Sequence, residues 1–145
     1  MLSATGELAA YHVDVHAKIG RQFSEGVRVV RRLLRDHELA KRVIVHLGTN
    51  GPIDPHDCDR LVTLAGPHRR VFLVTIKVPR TWQDSNNAIL GRCAAASDKV
   101  DLIRWYARSH GHGGWFVDDR YHLSDKGQRK YAHFIDRSID EIVAG

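Results

Sequence analysis

The residues best suited to chemistry are an aspartate and a histidine three positions apart, Asp119 and His122. They lie in a polar stretch just before a helix that Ser124 is placed to cap. A loop carboxylate at this spacing can turn back onto the imidazole, accept the Nδ1 hydrogen and leave Nε2 free as a general base. The alternative is an ordinary loop histidine with an acidic neighbour, since both residue types are common in loops.

Two glycine-containing segments could supply the hydrogen-bond donors that such a base needs beside it. Gly48 and Asn50 follow a β-branched run at 42–47, and Gly20 follows an alternating run at 12–18. The Asn50 amide and the Gly20 backbone N–H could both stabilise a developing oxyanion, while Gly48 lets the backbone come close. The alternative for the Asn50 segment is a plain turn, because Asn-Gly is a strong turn dipeptide.

A third polar segment, after the strand expected at 71–78, could line a substrate groove. Its members are Trp82, Asn86 and Asn87. An aromatic ring beside side-chain amides suits a sugar ring. An equally good interpretation is a loop packed onto the core, with an aspartate or asparagine capping the next helix.

Strands alternate with helices along the chain. Strands are expected at 12–18, 42–47, 71–78 and 100–106, and helices at 24–39, 54–66, 87–96 and from 124 onward. The first of these helices has Ser24 as its expected cap, and the second has Asp54 followed by Pro55. The alternation predicts one α/β domain over 1–145, a three-layer sandwich with a parallel sheet. Ligands in such folds lie beyond the carboxyl ends of the strands, so the four polar segments should converge there.

Composition excludes several other functions. The net charge is +5, but the arginines are spread along the chain, so we expect no nucleic-acid partner. His110 and His112 lie in a glycine-rich loop that holds no preorganised ligand set, so we expect no metal. Cys58 and Cys93 form no CxxC motif. We expect two buried free thiols, although the cysteines could pair in an oxidising compartment if their Cα atoms are close enough.

Gly20, Gly48-Thr49-Asn50 and Asp119-Arg120-Tyr121-His122 resemble, in order and approximate spacing, the later motif blocks of SGNH (GDSL-like) hydrolases. The stretches IGRQFSEGV, VIVHLGTNGPI, VPRTWQDSNNAIL and DDRYHLSDKGQRKYA are similar to SGNH-like domains at the carboxyl end of membrane acyltransferases that O-acetylate cell-surface glycans. The resemblance implies a flavodoxin-like fold and two-step acyl transfer without a metal or organic cofactor. It also implies that His122 is the base, that Asp119 orients it, and that Gly20, Gly48 and Asn50 form the oxyanion site.

The Gly-Asp-Ser block that supplies the nucleophile in this family is missing from the sequence. The first eight residues resemble the helix that follows that block, which implies that the serine and the central first strand precede Met1. Ser3 is a poor substitute, since two residues cannot form the strand that must precede a nucleophile. We therefore expect a domain truncated at its amino end, with about four strands and little activity alone. The cause would be a misplaced start, a trimmed chain or a non-catalytic remnant.

The resemblance also sets expectations about partners and place. It implies an acylated glycan or small ester as substrate, a link to a membrane acyltransferase, and a location in the periplasm or at the cell surface. The lost central strand would leave an open edge, for which we expect a rearranged sheet or a homodimer. The alternative function is a non-catalytic glycan-binding or assembly module that keeps the sheet but not the reaction.

Overall fold

The computed structural model describes residues 2–145 as an α/β fold with helices on both faces of a parallel sheet. In chain order the helices are α1 (Thr5–Ala9), α2 (Phe23–Arg35), α3 (Pro55–Ala65), α4 (Gln83–Ala95), α5 (Trp105–Ser109) and α6 (Asp125–Ala144), with 3₁₀ turns at Leu2–Ala4 and Gly113–Trp115. The strands are β1 (Arg42–Val45), β2 (Arg70–Val74) and β3 (Val100–Ile103). The predicted α/β class and parallel sheet are confirmed.

The central strand β2 divides the interior into two cores. Its residues from Val71 to Val74 are at most 1% exposed, which is why this strand reads as one continuous apolar run. Val71 and Leu73 pack in the core formed with α2, α3 and α4, whereas Phe72 and Val74 pack in the core formed with α6. Side chains alternate across a strand, so each helical layer receives every second residue. The result is the three-layer arrangement expected from the sequence.

The predicted strand at 12–18 is wrong. This segment pairs with no strand in residues 2–145, so the described sheet has three strands, in the order β1-β2-β3, rather than four. Val13 and Val15 are nevertheless half-buried against the core on the α6 side. Their alternation reports that one face is buried, which an irregular segment can also achieve without a hydrogen-bonded ladder.

Two of the three predicted helix caps are confirmed. Asp54 accepts a hydrogen bond from the His56 N–H with Pro55 at the first helical position, and Ser124 accepts one from the Gly127 N–H. Ser24 is not a cap. The residue that caps α2 is Gln22, whose backbone N–H donates to Glu25 while its own side chain accepts from the first turn.

A disulfide joins the two helices α3 and α4. Cys58 is bonded to Cys93, with their Cα atoms 6.3 Å apart. The expectation of two free thiols is therefore wrong, because the helices lie side by side and bring the two cysteines within bonding range. No helix within residues 2–145 combines the length and the apolar character needed to cross a bilayer.

Candidate active site

Asp119 and His122 are hydrogen-bonded to each other in the turn before α6. Asp119 Oδ2 lies 2.5 Å from His122 Nδ1, while Oδ1 accepts hydrogen bonds from the backbone N–H groups of Tyr121 and His122 at 3.1 and 3.0 Å. The loop's own backbone thus fixes the carboxylate. With Nδ1 engaged, the remaining ring nitrogen of His122 is the one that can exchange a proton with a ligand. The side chain of His122 is 57% exposed, so a ligand can reach it.

A short hairpin holds this pair. Phe116 and Leu123 form an antiparallel bridge, and the Val117 N–H donates to the His122 carbonyl at 3.0 Å. Arg120 turns the chain with a φ of 66°, a conformation that side chains other than glycine adopt infrequently. The hairpin therefore presents His122 at a fixed place beside the start of α6.

The start of α6 packs unusually close to the backbone just before the hairpin. The Ser124 N–H donates to the Trp115 carbonyl at 3.0 Å, and the Ser124 hydroxyl donates to the Gly114 carbonyl at 3.0 Å. A Cβ at position 127 would lie 1.8 Å from the Trp115 carbonyl oxygen, so only glycine permits this approach. Gly127 thus allows the first turn of α6 to be joined to the segment that leads to His122.

The pKa of Asp119 is held down to about 2, first by the hydrogen bond from His122 and then by the two backbone N–H groups. We expect His122→Ala to raise this pKa partway toward the ordinary value of 3.8, because the backbone donors remain. A carboxylate whose pKa is depressed by folding stabilises the fold above its unfolded pKa and loses that contribution as the pH falls from about 4 to 2. Carbon-detected NMR titration of the Asp119 carboxyl group measures the shift.

The matched control for this titration is His112→Ala, which removes an exposed histidine that stacks on Trp115 and is not among the hydrogen-bond partners of Asp119 in residues 2–145. It should leave the Asp119 pKa unchanged. An unchanged Asp119 pKa in His122→Ala would show that the pair does not form in solution.

The structure joins the two predicted oxyanion segments to each other. The Asn50 side-chain amide donates to the Arg21 carbonyl at 3.3 Å, and the Gln22 side-chain amide donates to the Asn50 carbonyl at 2.7 Å. Gly20 turns the chain just before them with a φ of 69°. No hydrogen bond within residues 2–145 joins Asp119 or His122 to these segments. Their role as an oxyanion site stays a prediction.

The hairpin lies instead against the segment that follows β2. Lys77 Nζ sits over the Phe116 ring at 4.0 Å from its centroid and donates to the Ser109 carbonyl at 3.4 Å. Burial lowers the pKa of Lys77. This contact places the hairpin beyond the carboxyl end of the sheet, on the side where the loops after β1 and β2 also emerge.

Comparison with known proteins agrees with this geometry. No family model matches the sequence. The chain is 28% identical over 130 residues to O-acetyltransferase OatA of Staphylococcus aureus (strain NCTC 8325), covering 89% of the chain and 21% of the relative. A second relative in S. aureus (strain COL), an O-acetyltransferase by name, is 32% identical over 114 residues, or 78% of the chain and 19% of the relative. The chain thus spans about a fifth of the length of these curated relatives.

The fold matches that of a solved relative. The C-terminal catalytic domain of Streptococcus pneumoniae peptidoglycan O-acetyltransferase A (OatA), solved with a methylsulfonyl adduct, superposes with a TM-score of 0.86 at 18% identity. The match covers 99% of this chain and 89% of the other. The chain is homologous to a segment of the OatA O-acetyltransferases. The predicted relationship to the SGNH-like domains of such enzymes is confirmed.

Within this OatA-like fold, Asn86 has a different place from the one predicted. It is fully buried rather than part of a groove. Its amide donates to the carbonyls of Gly48 and Gly51, both at 2.9 Å, and accepts from the Ile53 N–H at 2.8 Å. The groove prediction is wrong for Asn86, because its amide satisfies backbone groups of three buried residues in a neighbouring loop.

Asn87 lies in the first turns of α4, and Trp82 directly precedes that helix. Asn87 accepts from the Ile76 N–H and donates to the Ile76 carbonyl, at 2.8 and 2.9 Å, so it acts as a partner for backbone just beyond β2. The indole N–H of Trp82 is buried and has no hydrogen-bond partner in the described residues. A part for Asn87 and Trp82 in a substrate groove stays a prediction.

Sequence reasoning missed one buried polar pair. His46, directly after β1, is hydrogen-bonded through its Nδ1 to the Tyr131 hydroxyl of α6 at 2.8 Å. Burial lowers the pKa of His46 to about 3 and raises that of Tyr131, so both groups stay neutral. A histidine inside the apolar run at 42–47 was a signal, since a buried polar group requires a partner. The partner, 85 positions away, could not be identified from the pattern.

No group of three or more histidine, cysteine, aspartate or glutamate side chains in residues 2–145 is arranged to hold a metal ion. The two histidines of the glycine-rich loop contact aromatic rings instead. His112 stacks on Trp115 with ring centroids 4.0 Å apart, and His110 lies edge-on to Tyr106.

Proposed function

We propose that this chain is an SGNH-type acyl-transfer domain that moves acetyl groups between esters and the hydroxyls of a glycan. The observation that carries the proposal is the hydrogen-bonded pair Asp119–His122 in a fold shared with the OatA catalytic domain. The solved relative is by name a peptidoglycan O-acetyltransferase, which supports a glycan as the acceptor. An acetylated glycan or a small ester is the corresponding donor.

The proposed reaction has two steps. A serine hydroxyl attacks the acetyl carbonyl while His122 Nε2 takes its proton, and Asp119 stabilises the resulting imidazolium. The tetrahedral intermediate collapses, the donor alcohol leaves with that proton, and an acetyl-serine remains. A glycan hydroxyl or water then attacks, His122 again takes the proton, and the serine recovers it as the acetyl group departs. No metal or organic cofactor is needed for either step.

The proposed oxyanion site consists of the Gly20 N–H and the Asn50 amide, with Gly48 allowing close approach. The Asn50 amide has two hydrogens, and one of them is given to the Arg21 carbonyl. The second is available for an oxyanion. The bond to Arg21 would fix the direction in which that second hydrogen points, which is the preorganisation that such stabilisation requires.

This sequence offers no suitable residue for the role of the nucleophile. No Gly-Asp-Ser triplet occurs in it. Ser3 lies in the 3₁₀ turn Leu2–Ala4, which leads into α1, and this is not the strand-to-helix turn that exposes a nucleophilic serine. We therefore expect the 145-residue chain alone to show little or no turnover.

The location and assembly of the protein are also proposals. The bond between Cys58 and Cys93 supports a place outside the cytoplasm, in the periplasm or at the cell surface, because disulfides persist in oxidising compartments. The relatives support a link to a membrane acyltransferase. In the described residues β1 pairs only with β2, so its other edge supports the predicted homodimer, which light scattering would detect.

The experiment compares the protein purified from its native host with the recombinant 145-residue chain. Both are incubated with 4-nitrophenyl acetate and a chitooligosaccharide, and acetylated sugar is detected by mass spectrometry. We expect transfer by the native protein, and neither transfer nor fluorophosphonate labelling by the recombinant chain. Turnover by the recombinant chain that Ser3→Ala abolishes would assign the nucleophile to Ser3. Binding of acetylated glycan by both proteins without turnover in either would favour the non-catalytic module.

A further inference from the structure

Within residues 2–145, no strand pairs with the outer edge of β3. The Val71 N–H donates to the Lys99 carbonyl and the Thr75 N–H to the Ile103 carbonyl, so residues 99, 101 and 103 face β2. In a parallel ladder the residues between them point the other way. The N–H and C=O of Leu102 and the C=O of Val100 therefore point away from β2, at the outer edge of the sheet. Their spacing is the one at which an added strand forms hydrogen bonds.

A cavity lies along this edge, between β3 and α4. Its volume is about 490 Å³, within the range of about 300–1,000 Å³ typical of ligand sites. Its lining includes two small residues of α4, Gly91 and Ala94, and the apolar residue Leu102 of β3. A Cβ built on Gly91 would be in ordinary van der Waals contact with the Leu102 side chain, at 4.0 Å, so Leu102 packs against α4 at this point.

A positively charged side chain without an ion pair in residues 2–145 lies at the end of the cavity. Arg104 follows β3 directly, is exposed, and has no ion pair within residues 2–145. The cavity's other charged residue, Asp101, is already held by Arg70 through two hydrogen bonds of 2.6 and 3.2 Å. The unbalanced charge of the cavity is therefore a guanidinium, which pairs best with a carboxylate.

We propose that this edge and cavity form a docking groove for a short extended peptide that adds parallel to β3 and ends in a free carboxylate. The outward N–H and C=O groups of β3 can pair with the backbone of an extended peptide. A sugar ring does not carry donors and acceptors at the spacing of a strand. A peptide that runs parallel to β3 has its carboxyl end beside Arg104. The strand has four residues, so about four residues of peptide fit. The groove is separate from His122 and does not depend on acetyl transfer.

The test uses the tetrapeptide acetyl-Thr-Val-Thr-Val with a free carboxyl end, and the same peptide amidated at that end. Each is titrated into the isotope-labelled 145-residue chain and followed by two-dimensional amide NMR. We expect shifts confined to β3, α4 and α5, and binding about fivefold weaker for the amidated peptide. Arg104→Gln should weaken binding of the peptide with the free carboxyl end about fivefold as well. Arg92→Gln, which removes an exposed arginine of α4 that does not line the cavity, should have no effect.

A second variant tests the backbone contribution. Leu102→Pro removes an N–H that faces away from the sheet, a position where proline is tolerated in edge strands. We expect an unchanged circular dichroism spectrum and loss of peptide binding. Equal binding of the two peptides, or equal effects of Arg104→Gln and Arg92→Gln, would overturn the proposal. That comparison holds even if the proline variant fails to fold.

Discussion

Replacing Asn86 with alanine is expected to lower the free energy of unfolding by about 3–5 kcal/mol. The variant removes the partner of three backbone groups, the carbonyls of Gly48 and Gly51 and the N–H of Ile53, from a site with no exposed surface. Each buried group left without a hydrogen bond costs about 1–3 kcal/mol, and the vacated volume adds a cavity term. Urea unfolding followed by circular dichroism measures the loss.

The neighbouring residue provides the control. Asn87 makes two hydrogen bonds to Ile76 but is only half-buried, so water can replace part of what alanine removes. We expect Asn87→Ala to cost about 1–2 kcal/mol. Amide signals of Gly48 and Gly51 should shift in Asn86→Ala and not in Asn87→Ala. Equal losses of stability for the two variants would contradict the expectation that the hydrogen bonds of the buried Asn86 contribute more than those of the half-buried Asn87.

The features that could be predicted from the sequence are those set within a few residues. Asp54 and Ser124 begin helices because a side-chain oxygen and the N–H groups it accepts from are two or three positions apart. Asp119 and His122 meet for the same reason, since one loop carries both. The alternation of strands and helices likewise gave the three layers, because each apolar face must be covered by a neighbouring layer.

The features that could not be predicted depend on distant partners. The run at 12–18 has the alternation of a strand, but a strand also needs a neighbour with free backbone groups. The bond between Cys58 and Cys93 depends on how α3 and α4 pack. Asn86 was assigned to a groove because an amide after a strand end suits either a ligand or a buried backbone, and only the fold distinguishes the two.

Polar side chains tie together the segments around the candidate site. Asn86 ties α4 to the loop after β1, and the Gln22 amide ties the start of α2 to Asn50 in that loop. His46 ties the end of β1 to Tyr131 of α6, whose first turn follows His122. The exposed residues proposed to touch substrate are thus positioned by a second set of polar residues, of which Asn86 is buried and His46 half-buried, as precise catalytic geometry requires.

In the form of the protein that transfers acetyl groups, His122→Asn is expected to lower kcat by about 10³-fold with little change in KM. Asparagine keeps a polar side chain in the turn but cannot accept and return the proton of the nucleophile. Asp119→Asn should cause a loss of similar order, because an amide cannot stabilise the imidazolium that forms during the reaction as the carboxylate of Asp119 can. Asp119 Oδ2 lies 2.5 Å from His122 Nδ1. Steady-state kinetics with 4-nitrophenyl acetate and a chitooligosaccharide measure both variants.

His112→Asn makes the same chemical change on the neighbouring loop and controls for the loss of any histidine. His112 stacks on Trp115, so its replacement should change kcat less than twofold, on the order of a surface substitution. The double variant that combines His122→Asn with Asp119→Asn should lose no more activity than His122→Asn alone, because Asp119 acts only through the imidazole. Additive losses, or a kcat for His122→Asn within tenfold of the unaltered protein, would mean that another group carries the proton.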